Sequence, residues 1–153
     1  MDTKNDRTKI ARQFIEAIPH SRALGMTLDD IGEGTAALSM PYDERFIGNP
    51  STAVIHGGAV FALMDTCGGT AVMSHADAPT GTATIDLRID YMRPAKPGKA
   101  VFVRCECYRV TRSVAFTRGV AYESDPDDPV ATAAGAFMIT GKSSSNKIKG
   151  AVS

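Results

Sequence analysis

Residues 57–75 read GGAVFALMDTCGGTAVMSH, and this stretch decides the fold. From Gly57 to Ser74 the only charged side chain is Asp65; the rest is apolar, small or weakly polar. Strands seldom run beyond ten residues, so the length predicts a helix. Four glycines, two threonines and a carboxylate at mid-segment argue against a membrane span, where a charge costs several kcal/mol. The expectation is a helix buried in protein. A helix apolar on every side must be covered on every side.

The flanking sequence supplies the cover. Ala83, Ile85, Leu87, Ile89 and Tyr91 alternate with Thr84, Asp86, Arg88 and Asp90, the period of a strand with one dry face. Strict alternation puts Thr84 on the polar face. Three more strands are expected at about Lys99–Val110, Ser113–Glu123 and Val130–Thr140, forming an antiparallel meander across turns at 111–112 and 125–128. Upstream, Met26–Ile31 and Thr35–Met40 flank Gly32-Glu33-Gly34 and predict a hairpin, while Pro41–Ile55 has no sustained period and reads as a loop delivering His56. Ile10, Phe14, Ile15 and Ile18 form the stripe of an amphipathic helix over Lys4–Ile18, ended by Pro19. The tail from Lys142, with no hydrophobic face, is expected to be mobile. The expectation is an α+β fold: one domain over 1–141, with 1–22 as an N-terminal helical extension, in which a six-stranded antiparallel sheet curls around one long helix.

The 153 residues suffice to bury a core without staples. A hydrophobic share of 43% and a charged share of 22% exclude disordered and fibrous classes. Seventeen basic residues balance seventeen acidic ones, so no overall charge draws the chain to nucleic acid or an anionic membrane. Cys67, Cys105 and Cys107 form no Cys-x-x-Cys pair, which points to reduced buried thiols rather than a metal or disulfide framework. The opening residues lack an apolar stretch of signal type, and a cytoplasmic location is expected.

The chemistry gathers at Asn49, His56-Gly57-Gly58 and Asp65. A His followed by two glycines is also how a tight loop enters a helix, and an inward Asp capped by Thr66 is also a structural arrangement. Against the second stands the desolvation penalty of a carboxylate in an apolar helix unless it is paired, hydrogen-bonded or open to a cleft. Backbone N–H groups at a helix start are unpaired and sit at the positive end of the dipole. Glycines there let a carbonyl approach closely. Gly57 and Asp65 are eight residues apart, about 12 Å along a helix, so one carbonyl cannot touch both. If both serve one site, a second copy of the chain must supply one of them across a two-fold interface.

From Asn49 through His56-Gly57-Gly58 to Asp65, and on through the run from Asp86 to Gly98 (DLRIDYMRPAKPG), the chain resembles the hotdog-fold acyl-CoA thioesterases of the phenylacetate-pathway and hydroxybenzoyl-CoA thioesterase type. The likeness covers about Leu24 to Gly141. It implies a sheet wrapped around a central helix and sites at dimer interfaces, usually within a dimer of dimers. It implies Asp65 as general base or nucleophile, the Gly57 amide as the group polarising the thioester carbonyl, and Asn49 orienting water or leaving thiolate. It further implies that His56 positions the loop and that Thr84 stands near the attacking water.

The reaction so implied is metal-free, cofactor-free hydrolysis of an aryl or medium- to long-chain acyl-CoA to acid and CoA. Arg88 to Arg118 carry a net charge of +6 and the rest of the chain −6; Arg88, Arg93 and Lys96 are candidates for the CoA phosphates. Gly58 and Phe61, with Phe46, Ile47, Val54 and Met64, are candidates for acyl contact. Two alternatives are a catalytically silent acyl-CoA-binding module and a hydratase or dehydratase of the same fold; His20 and His75 lie outside the motif that a dehydratase would need.

Overall fold

The computed structural model describes residues 3–77 and 79–141. In chain order it contains α1 (Thr3–Ala17), α2 (Pro19–Ala23), β1 (Thr27–Gly32), β2 (Thr35–Met40), a 3-10 turn (Glu44–Phe46), β3 (Ile47–Asn49), β4 (Val54–Ile55), α3 (Gly57–Met73), β5 (Gly81–Tyr91), β6 (Val101–Val110), β7 (Val114–Tyr122) and β8 (Ala131–Thr140). Pro19 ends α1 as expected but also begins α2, because proline at the first helical position lacks only a donor that would be idle there. The stretch 41–55 is more than a loop: β3 and β4 pair as a small separate sheet. The tail expected to be mobile lies outside the described residues.

Six strands form one antiparallel sheet in the order β1-β2-β6-β7-β8-β5. On β6 the odd positions Val101, Val103, Cys105 and Cys107 are buried and the even ones exposed, the period-two pattern of a half-covered sheet. The β1 edge is covered by α1, whose Ile15 is buried and whose Arg12 guanidinium donates to the Leu28 carbonyl at 3.2 Å. The β5 edge has no such cover from the described residues.

Helix α3 lies on the inner face. Its buried residues are Val60, Leu63, Met64, Cys67, Gly68, Ala71 and Val72, a single stripe at helical spacing. Gly68 is required: a Cβ there would stand 2.9 Å from the Phe137 ring. The expected α+β fold, a six-stranded antiparallel sheet packed around one long helix, is what the structure shows, and the sheet covers the face of α3 that carries this stripe. The opposite face of α3, with Gly58, Phe61 and Met73 exposed and Asp65 half-buried, has no cover among the described residues.

Strand β5 departs from strict alternation. Thr84 pairs with Phe137 and Asp86 with Ala136, so Ile85 is an extra residue, a β-bulge. The bulge re-phases the strand: Thr82 and Thr84 on one side of it and Leu87, Ile89 and Tyr91 on the other all face α3. Ile85, expected on the dry side, is 58% exposed. The helix and strand run in opposite directions, with Asp65 beside Thr84 and Gly57 beside Tyr91. No helix among the described residues is long and apolar enough to cross a membrane.

Candidate active site

His56 is the N-cap of α3, and its Nδ1 accepts from the Gly58 N–H at 2.8 Å. With Nδ1 an acceptor, the neutral imidazole carries its proton on Nε2. The Ala59 N–H donates to the His56 carbonyl at 3.0 Å. Of the first three amides, Gly57 alone has no acceptor among the described residues. The cap explains both neighbouring glycines: a Cβ on Gly58 would meet His56 Nδ1 at 2.8 Å, and one on Gly48 would meet His56 Cα at 2.8 Å. The His56 N–H donates to the Phe46 carbonyl at 2.7 Å, tying the helix start to the 3-10 turn.

Tyr91 closes the other side. Its hydroxyl donates to the Gly57 carbonyl at 2.7 Å, and a Cβ on Gly57 would lie 3.2 Å from the ring. Partial burial raises the phenol above its ordinary pKa, so it remains a donor at neutral pH. Asn49 accepts from the Ser51 N–H at 3.1 Å and hydroxyl at 2.7 Å through Oδ1, leaving its two amide hydrogens to donate outward. The loop closes through Ala53 at φ 60°, a left-handed conformation held where Tyr42 Oη donates to the Ala53 carbonyl at 2.8 Å.

Asp65 Oδ1 accepts from Thr84 Oγ1 at 2.6 Å, and Oδ2 has no partner among the described residues. The carboxylate is half-buried and opens onto the uncovered face of α3. It is not capped by Thr66, whose hydroxyl donates to the Ala62 carbonyl at 2.9 Å. The strand parity that separated Thr84 from this site is undone by the Ile85 bulge. Phe61 shares the open face, 40% exposed.

The basic candidates separate sharply. All five guanidinium donors of Arg93 are engaged: Nε with Asp128 Oδ1, Nη1 with the Pro94 carbonyl and Glu123 Oε1, Nη2 with Glu123 Oε2 and the Asp128 carbonyl. Glu123 also accepts from the Lys96 amide at 2.6 Å and is held below its usual carboxylate range, first by Arg93. Arg93 therefore has no donor left for a phosphate. Arg88 pairs with Asp90 at 3.2 Å on the face of β5 turned away from α3, and its side chain is 74% exposed. Lys96 is exposed. Of the acyl candidates, Met64 is fully buried in the core, while Phe46 and Ile47 line a cavity of about 390 Å³ beside the helix entrance, together with Gly58, Ala62, Leu24 and His20. Tyr91 and His20 were missed in the sequence; the period-two pattern marked Tyr91 only as an apolar strand residue, and His20 is 36 residues upstream of His56.

A family model described as thioesterase superfamily matches residues 52–130. A relative from Halobacterium salinarum that bears an esterase name is 40% identical over 95 residues, 60% of this chain and 63% of that protein. The match thus spans just under two thirds of that relative's length. The medium/long-chain acyl-CoA thioesterase YigI of Escherichia coli is 26% identical over 143 residues, 85% of this chain and 91% of YigI. A crystal structure of a Pseudomonas aeruginosa protein is 46% identical, covers 86% of this chain and 97% of that one, and superposes with a TM-score of 0.76.

Proposed function

We propose, given that the chain belongs to the thioesterase superfamily, that it hydrolyses acyl-CoA thioesters to a free acid and CoA at sites shared between two copies of the chain. The observation that carries this reading is a helix-start amide at Gly57 with no acceptor among the described residues and, eight residues on along α3, a carboxylate at Asp65 that Thr84 holds and that opens onto the uncovered face. The relation to an acyl-CoA thioesterase over 85% of the chain supports the substrate class.

The distance of about 12 Å between Gly57 and Asp65 is bridged by symmetry. Strand β5 carries a contact to each, Tyr91 beside Gly57 and Thr84 beside Asp65, and its outer edge is open. Pairing β5 with its own copy antiparallel, about a two-fold axis at Arg88 with Ile85 bulged out of each strand, sets Tyr91 opposite the partner's Thr84. Each Gly57 amide then faces the partner's Asp65. The same contact covers the bare face of α3 and removes an exposed sheet edge. Phe102 and Tyr108, exposed on the sheet face turned away from α3, support a further contact between two such dimers.

In the shared site the Gly57 N–H donates to the thioester oxygen and stabilises the oxyanion as it forms. Asp65 Oδ2 either accepts a proton from a water that attacks the carbonyl carbon, or itself attacks to form an anhydride that water then opens. The C–S bond breaks and CoA leaves as a thiolate that takes up the proton. Thr84 holds Oδ1 and so aims Oδ2, the Asn49 amide hydrogens reach toward water or leaving group, and His56 fixes the helix entrance through Gly58. Lys96 receives the CoA phosphates, whereas Arg93 serves the fold and Arg88 lies on the far face of the sheet. Three free buried cysteines support a reducing, cytoplasmic setting.

The test is turnover of a panel of aryl and straight-chain acyl-CoAs, followed with a thiol reagent. Wild type releases CoA, and Asp65→Asn lowers kcat by several orders of magnitude with an unchanged circular dichroism spectrum. Binding without turnover by wild type would favour the silent module and overturn the hydrolase reading.

A further inference from the structure

Resting on that activity, we infer that α2 forms the end wall of the acyl pocket, and that His20 and Leu24 set the longest acyl chain the enzyme accepts. The cavity of about 390 Å³ begins at the helix entrance, where Gly58 lines it, and runs past Ala62 to the side chains of Leu24 and His20. That volume lies at the small end of the range for small-molecule sites. Gly58, next to the Gly57 amide, and His56 before it both line the cavity, so an acyl group whose carbonyl is held at that amide lies beside it. From Gly57 to Ala62 the floor is glycine, alanine and valine, apart from Phe61 on the open face, so α3 leaves room for a chain to lie along it. Phe46 and Ile47 give the cavity apolar flanks.

The charge at the rim limits the chemistry. Arg45 borders the cavity, but Asp43 accepts from it at 2.7 Å and neutralises it. An uncharged apolar acyl group therefore fits better than one ending in a carboxylate. The wall itself is fixed: Ser21 is buried, its carbonyl accepts from the Met26 N–H at 3.0 Å, and Gly25, at φ 67°, turns the chain against the Pro41 ring. These contacts hold the backbone of α2 and the turn after it in place, so His20 and Leu24 stand at a fixed distance from the helix entrance.

The experiment compares kcat/KM for acyl-CoAs of increasing length in wild type, His20→Trp, Leu24→Trp and Leu24→Ala, with Ile10→Ala on the exposed face of α1 as a control. Calorimetric binding of the matching non-hydrolysable acyl-CoA thioethers runs in parallel. In wild type both measures improve about fourfold per methylene up to a cut-off and then fall. The tryptophan variants move the cut-off to shorter chains, Leu24→Ala moves it to longer ones, and Ile10→Ala leaves it in place. His20 is exposed, so its variant folds even if Leu24→Trp does not. The same cut-off in all wall variants, or thioether affinity independent of length, overturns the assignment. If wild type hydrolyses none of the esters, the proposed activity fails while the thioether series still decides the pocket.

Discussion

Replacing Gly57 in two ways isolates a single hydrogen. Gly57 is the first residue of α3, its N–H has no acceptor among the described residues, and His56 before it has φ −60° and ψ 134°. That backbone is the one a residue preceding proline prefers, and the first helical position tolerates proline. Gly57→Pro thus deletes the N–H with little change to the helix. The added Cβ meets the Tyr91 ring at 3.2 Å, a few tenths of an ångström too close, and the half-exposed ring has room to shift. Gly57→Ala adds the same Cβ and keeps the N–H, so the ratio of the two variants reports the amide alone. Loss of one oxyanion donor lowers kcat by about 10²–10³, and that is the expected ratio in steady-state release of CoA from one good substrate. Thermal melting of the two variants should agree within a few degrees. Equal kcat values in two folded variants would refute the role of this amide as the oxyanion donor.

Co-expression of Asp65→Asn with Gly57→Pro tests the shared site: random pairing makes about half of the dimers mixed, each with one intact site, so about a quarter of wild-type activity returns. No recovery would place both groups in one subunit. Thr84→Val removes a hydrogen bond to a charged group, and a loss of about 1.5–3 kcal/mol predicts a fall in kcat of about 10- to 150-fold with little change in KM, measured on the same substrate. The Arg93 guanidinium holds Glu123 below the ordinary carboxylate range, so its contribution to stability is present above that range and is lost as pH falls through the lower, folded-state value. Urea unfolding between pH 3 and 7 should show that loss, and Glu123→Gln should flatten this part of the curve. That variant should also cost about 3–5 kcal/mol at pH 7 by leaving the Arg93 charge under-compensated; an unchanged acid slope would count against the clamp.

The apolar helix, the antiparallel strands and the Asn49-to-Asp65 run were legible because each rests on local periodicity or on spacing within one element. What was not legible depends on contacts between elements. Ile85 looks like one more inward residue of an alternating strand, and only the register against Ala136 and Phe137 exposes it as the surplus position. Arg93 reads as a free cation because its acceptors, Glu123 and Asp128, are 30 and 35 residues away. The cap made by His56 was half-visible: His-Gly-Gly implied a tight helix entry, but not that the ring would occupy the Gly58 amide and leave Gly57 as the free donor. The composition of α3 demanded cover on all sides, and the sheet of one chain supplies it on one.

The position of β5 in the sheet constrains the order in which the molecule can be built. Its nearest strand in sequence, β6, lies three places away, and its neighbour within the chain is β8, completed only at Thr140. On the ribosome, the strand that carries Thr84 and Tyr91 emerges well before its backbone has anything to pair with. The earlier strands can associate with α3 in the meantime, while Gly57 and Asp65 wait for the last strand to fix their neighbours Tyr91 and Thr84. A chain released before β8 would retain every residue assigned to hydrolysis and still lack the scaffold that aligns them.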